Sequence, residues 1–144
     1  MMQGEYIINQ ISIFSENKPG RLAAIAEALE KSHVNIYAFS IAEANSFGVV
    51  RALVDKPDDA RSVLEKLGFA VQFTDVIAVR MKDQPGGLHE VAQILGDAGI
   101  NIEYAYAYSG KEAAVLILRV SQAGEAISKI QAAGGSLLRE SDLG

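Results

Sequence analysis

Apolar positions along this chain recur with two periods, and the two periods alternate. Ile11-Ser12-Ile13 has the two-residue alternation of a half-buried strand. Leu22, Ile25, Ala26 and Leu29 follow at i, i+3, i+4 and i+7, the single stripe of an amphipathic helix. Residues 34–41 and 49–54 return to strand-like runs. A second helix is predicted behind Pro57-Asp58-Asp59, where Pro suits the first turn and the acids suit the positive end of the dipole. Its stripe is Ala60, Val63, Leu64 and Leu67, and residues 69–73 close the series as a strand. The order then begins again. Ile77-Ala78-Val79 reads as a strand and Leu88, Val91, Ala92 and Leu95 as a helical stripe. Strands over 100–108 and 114–120, a helix burying Ala126, Ile127 and Ile130, and a strand over 136–138 complete it.

The second series is the first displaced by 66 residues without a gap. Pro19-Gly20 meets Pro85-Gly86, Leu22 meets Leu88, Leu29 meets Leu95, Asn35-Ile36 meets Asn101-Ile102, and Gly68 meets Gly134. Two units are too few for a solenoid, which buries its faces by stacking three or more. The pattern predicts an α+β chain of two tandem ferredoxin-like βαββαβ domains with antiparallel sheets, over residues 5–73 and 74–140. Between residues 69 and 80 there is no Gly or Pro, so the last strand of the first unit is expected to run almost straight into the first strand of the second.

Composition narrows the function. The 144 residues carry a net charge of −5 with no basic run, which argues against a nucleic-acid partner. Absence of Cys removes disulfides and thiolate chemistry. No secretory leader or membrane span is read, so a cytoplasmic location is expected. No metal-ligand spacing, nucleophile elbow or phosphate loop occurs, so no catalytic residue, metal or cofactor is expected. His33 and His89 align with Gly99 and Ala23, so neither is shared between copies.

The loops before the two leading helices carry the remaining signal. Glu16-Asn17-Lys18-Pro19-Gly20-Arg21-Leu22 with Val34-Asn35-Ile36 resembles an ACT domain. Asp83-Gln84-Pro85-Gly86-Gly87-Leu88 with Ile100-Asn101-Ile102 repeats the signature, so nearly the whole chain resembles a stand-alone tandem ACT protein. The first loop is also similar to those of the acetolactate synthase regulatory subunit and the serine-sensing domain of phosphoglycerate dehydrogenase. The resemblance implies an amino-acid ligand at an interface between ACT units, a partner metabolic enzyme and a homodimer. It assigns ligand contacts to Asn17, Lys18, Pro19, Gly20, Arg21, Leu22, Asn35 and Ile36. In the second copy it assigns them to Asp83, Gln84, Pro85, Gly86, Gly87, Leu88, Asn101 and Ile102. An acetolactate-synthase-like regulatory subunit and a ligand-free interaction module are the alternatives.

Physical chemistry supports a ligand there and also offers a plainer reading. A helix start presents unpaired N–H groups and a partial positive charge to a carboxylate, and glycine admits close approach. Asn17 or Asp83 would take the ligand ammonium. Equally, Asn17 and Asp83 make good helix caps, and Pro19 and Pro85 fit a first turn. Asp83 would repel a ligand carboxylate, which ranks the first loop above the second. Tyr104, Tyr106 and Tyr108 alternate and so share one face of a strand, where Ala38, Ser40 and Ala42 stand in the first copy.

Overall fold

A computed structural model describes residues 3–110 and 113–144. After a short 3₁₀ turn at Gln3–Tyr6, the elements run β1 (Ile8–Glu16), α1 (Arg21–Lys31), β2 (Ile36–Ala44), β3 (Phe47–Val54) and α2 (Pro57–Lys66). They continue with β4 (Ala70–Met81), α3 (Gly87–Asp97), β5 (Ile102–Ser109), β6 (Ala114–Val120), α4 (Ala123–Ala132) and β7 (Leu137–Leu138), ending in a 3₁₀ turn at Glu140–Asp142. Both halves are therefore βαββαβ. The expected continuity at the junction is observed, because β4 is one twelve-residue strand. The chain divides into two compact units. One is Asn9–Thr74; the other is Asp75–Gly144 together with the leading segment up to Ile8.

In the N-terminal unit the strand order is β2-β3-β1-β4, with β3 antiparallel to both β1 and β2. Ile11 and Ile13 of β1 lie opposite Ala52 and Val50 of β3. These four side chains form the helix-covered face, and Ile25, Ala28 and Leu29 of α1 with Ala60 and Leu64 of α2 close over them. The core is thus a sheet face under two helices, built from the two periods read in the sequence. The stripes are narrower than predicted, however. Leu22, Ala26 and Leu67 are exposed and Ala28 is buried instead. α1 packs through its 25/28/29 side, which leaves the 22/26 side overhanging β2.

The C-terminal unit repeats the plan, with β4 between β6 and β7, and β5 at the edge beyond β6. Its core joins Ile77, Val79, Leu116, Leu118 and Val120 to Val91, Leu95, Ala126, Ile127 and Ile130. Leu88, predicted to be buried, is exposed. The leading segment completes this unit. Tyr6 and Ile7 pack on its core, and Arg139 binds Glu5 at 2.9 Å while lying over the Tyr6 ring. Tyr104, Tyr106 and Tyr108 do share one face of β5, half-buried and paired across to Arg119, Ile117 and Val115. Because Leu116 and Leu118 lie under the helices, the tyrosines occupy the opposite sheet face.

Candidate functional site

The first loop is built around a backbone reversal. The Asn17 N–H donates to the Ser46 carbonyl at 2.9 Å, fixing the end of β1 against the β2–β3 turn. The Arg21 N–H donates to the Lys18 carbonyl and the Ala24 N–H to that of Gly20, closing the first turn of α1. Gly20 caps this helix at φ 89°, in the left-handed region, with no side-chain cap hydrogen bond. Asn17 is therefore not the cap, and Pro19 stands outside the helix rather than in its first turn. The left-handed glycine alone turns the chain, which an L side chain would do only under strain. Gly86 does the same for α3 at φ 93°, so Asp83 and Pro85 are likewise outside the roles of cap and first turn. No side-chain cap hydrogen bond closes the start of α1, and the N–H groups of Leu22 and Ala23 have no intrahelical acceptor there.

Charged groups ring this opening. Lys18 Nζ pairs with Glu16 at 2.8 Å, and an Arg21 Nη lies 3.9 Å from the same carboxylate. The hydrogen bond and charge of Lys18, with a smaller contribution from Arg21, hold the Glu16 carboxyl below its ordinary range. All three side chains are about half exposed or more, so these pairs are weak and open to competition by an incoming carboxylate. The Asn17 side-chain amide donates to Glu43 at the end of β2, at 3.3 Å. A small cavity of about 50 Å³ lies among Asn17, Lys18, Arg21, Leu22, Ile25 and Gly48. It shares Leu22, Ile25 and Val50 with an adjoining apolar cleft of about 130 Å³ beneath α1.

Asn35 is elsewhere. Its N–H donates to Asp55 Oδ1 at 2.9 Å and its carbonyl accepts from the Asp55 N–H at 3.1 Å, at the start of β2. Asn17 sits by Glu43, at the other end of that strand, ~25 Å away along eight residues of extended chain. The loop residues 17–22 are thus brought together, whereas Asn35 of the same unit is not among them. Ile36 does reach the apolar cleft, where it lies with Leu22. Glu16 and Glu43 had no place in the sequence reading of the site. Their signal appears only once β1 and β2, both antiparallel to β3, are known to end at the same edge.

The second loop differs in ways that bear on binding. Gly87 takes the place of Arg21 and is buried, and a Cβ there would overlap the Lys82 carbonyl oxygen. The Lys82 carbonyl thus excludes any side chain from the position that Arg21 holds in the first loop. Lys82 pairs with Glu90 of the first helical turn at 3.5 Å, and Asp83 stands exposed beside them. Gln84 accepts the Gly87 N–H and Leu88 is exposed. Asn101 bonds Ser121 as Asn35 bonds Asp55, and Ile102 packs on the second core. One cation and two carboxylates surround this opening, which disfavours an anion.

Two chemistries have no support in the geometry. Among the described residues, no three His, Asp or Glu side chains gather as a metal would require. No described helix is long and apolar enough to cross a membrane.

Comparison with known proteins decides the family. The sequence profile of the ACT domain pair matches residues 6–143. The chain belongs to the ACT-domain family. The structure of protein BT0572 from Bacteroides thetaiotaomicron is similar to this ACT pair over 95% of each chain, at 36% identity and a TM-score of 0.90. The regulatory subunit of aspartate kinase from Thermus thermophilus, in its ligand-free form, shares the fold. It aligns over 90% of this chain and 95% of its own, at 17% identity and a TM-score of 0.67. Aspartokinase III of E. coli, in complex with lysine and aspartate, aligns over 87% of this chain and 31% of its own, at 16% identity and a TM-score of 0.54. No curated protein matches the sequence.

Proposed function

We propose that this ACT domain pair is a non-catalytic, cytoplasmic regulatory protein whose first loop binds an amino acid at an interface between two copies of the chain. The observation that carries the reading is the uncapped start of α1. There the Leu22 and Ala23 N–H groups, Lys18 and Arg21 surround one opening, while Asn17 and Glu43 stand beside it as acceptors. A ligand carboxylate would face the N–H groups and cations, and its ammonium would face Asn17 and Glu43. The second loop is the weaker candidate, since the Lys82 carbonyl leaves no room for a side chain where the first loop has Arg21, and its charges oppose a carboxylate.

The separation of Asn17 and Asn35 keeps one ACT unit from presenting both to a single ligand. If both contact one ligand, as the ACT resemblance implies, another ACT unit supplies the asparagine, and the homodimer proposed here takes it from a second copy. The regulatory output is then linkage. A ligand that bridges two copies favours one arrangement, and a partner metabolic enzyme reads that arrangement, with coupling of ~1–3 kcal/mol typical of such systems. Aspartate kinase regulatory subunits give this proposal a precedent in fold only. Isothermal titration of the full chain with the twenty common amino acids tests it. Binding of at least one, weakened tenfold or more by Gly20→Val or Asn17→Ala, is the expected outcome. No binding across the set would overturn the reading.

A further inference from the structure

We infer that the ligand of the first loop is an amino acid with an apolar side chain, branched aliphatic or aromatic, lodged in the cleft beneath α1. This rests on the reading of the loop as an amino-acid site and adds the class of ligand. The cleft is lined by Leu22, Ile25 and Ala26 of α1, Ile36 and Phe39 of β2, and Val50 of β3, among others, and every lining side chain is apolar. It adjoins the loop cavity, with Leu22, Ile25 and Val50 lining both. Of these two neighbouring cavities, one carries Asn17, Lys18 and Arg21, and the other carries hydrocarbon alone. That is the polarity of an apolar amino acid, with its charged head at the loop and its side chain under the helix.

Size and desolvation select the class. The cleft holds about 130 Å³, close to the ~150 Å³ that accommodates a benzene-sized group in an engineered protein cavity. A lysine ammonium or an aspartate carboxylate placed there would lose its water and meet no partner. Leu22, Ile36 and Phe39 of the cleft are 39%, 36% and 53% exposed, and Ile41 of the adjoining loop cavity is 47% exposed, so this wall is apolar surface left in water. A hydrophobic side chain would cover part of it. The C-terminal unit lacks that wall, since Ala105 and Ala107 occupy the positions of Phe39 and Ile41. The cleft is a feature of the same unit that keeps the open loop.

Titration calorimetry and thermal shift on the full chain separate the outcomes. Leucine, isoleucine, valine and phenylalanine are compared with serine, threonine, lysine and aspartate. The apolar group is expected to bind at least ~10-fold tighter, a discrimination that buried methyl groups alone supply. Its best member is expected to raise Tm by several degrees at saturating concentration. Ala26→Phe, which fills the cleft from an exposed helix position, is expected to remove that preference with the fold intact by circular dichroism. If this variant does not fold, Phe39→Ser serves in its place and weakens the same group of ligands. Tight binding of a polar amino acid would overturn the cleft assignment and leave the loop site standing. Binding of none would overturn both. A cleft variant that dissociates a dimer while leaving ligand affinity unchanged would overturn the assignment in favour of a second copy as occupant.

Discussion

At the scale of single residues, left-handed backbone positions do much of the shaping. His33 follows the Ser32 C-cap of α1 at φ 56°, and its repeat partner Gly99 ends α3 at φ 71°. The His33 N–H donates to Glu30 and the Val34 N–H to Leu29, the backbone pattern that usually places glycine at this position. The imidazole has no role in the turn; Lys56 binds the His33 carbonyl, which any residue would supply. His33→Gly is therefore expected to stabilise the protein by ~0.5–1 kcal/mol, as relief of left-handed strain outweighs the added freedom of the unfolded chain. Urea melts would show a higher midpoint at unchanged slope. Glu16 makes a second residue-level case. It holds Lys18 and lies near Arg21, the cations proposed for the ligand carboxylate. Since exposed pairs contribute little, Glu16→Gln should tighten ligand binding about two- to fivefold with little change in stability. Weaker binding would mean that Glu16 itself contacts the ligand.

At the scale of elements, the repeat made the fold legible because both of its periods report on one core. The alternation at Ile11 and Ile13 and the stripe at Ile25 and Leu29 converge on the same sheet face. What the pattern did not reveal was where each stripe would be left uncovered. Leu22, Ala26 and Leu67 fit the helical period as well as Ile25 does, but Leu22 and Ala26 face the cleft between α1 and β2, and Leu67 is the residue that ends α2. The cap was hidden for a similar reason. Asn17 and Gly20 both suit a helix start, and only the backbone geometry shows that the glycine makes the turn. The destination of the leading segment was also invisible, because Glu5 and Tyr6 carry no periodicity and contact partners more than a hundred residues away. Their attachment can be dissected. Glu5 and Arg139 form an exposed ion pair, whereas Tyr6 packs on the second core. Tyr6→Ala should cost ~2 kcal/mol, about half the loss for a fully buried aromatic, and Glu5→Gln under ~1 kcal/mol. Equilibrium denaturation of both variants would check the ranking, and equal losses would show that the ion pair anchors the segment.

At the scale of the whole molecule, the two copies have diverged while keeping one plan. The first keeps an open helix start, an arginine and an apolar cleft; the second has a glycine under the Lys82 carbonyl and alanines where the cleft wall would stand. The proposed ligand also needs an asparagine from the start of a β2-type strand in another unit, and under the proposal a second copy supplies it. That requirement has a quantitative signature. Asn17→Ala removes the loop contact, and the double variant Asn35→Ala/Asn101→Ala removes the strand contact whichever unit provides it. Each variant alone should bind at least ~10-fold more weakly than the parent chain. If sites form between copies of a two-fold dimer, mixing the two variants places an intact loop opposite an intact asparagine in one of the two sites of every heterodimer. With random exchange, half of the dimers are mixed, so about a quarter of all sites should recover parental affinity in a titration of the mixture. If the loop and the asparagine act within one chain, every site in the mixture carries one of the two defects, and no high-affinity sites return at any ratio of the variants. Sedimentation of the parent chain and of both variants would establish that each is a dimer, and unfolding and refolding the two variants together would randomise the subunits, so that a missing recovery reports on the site and not on failed exchange.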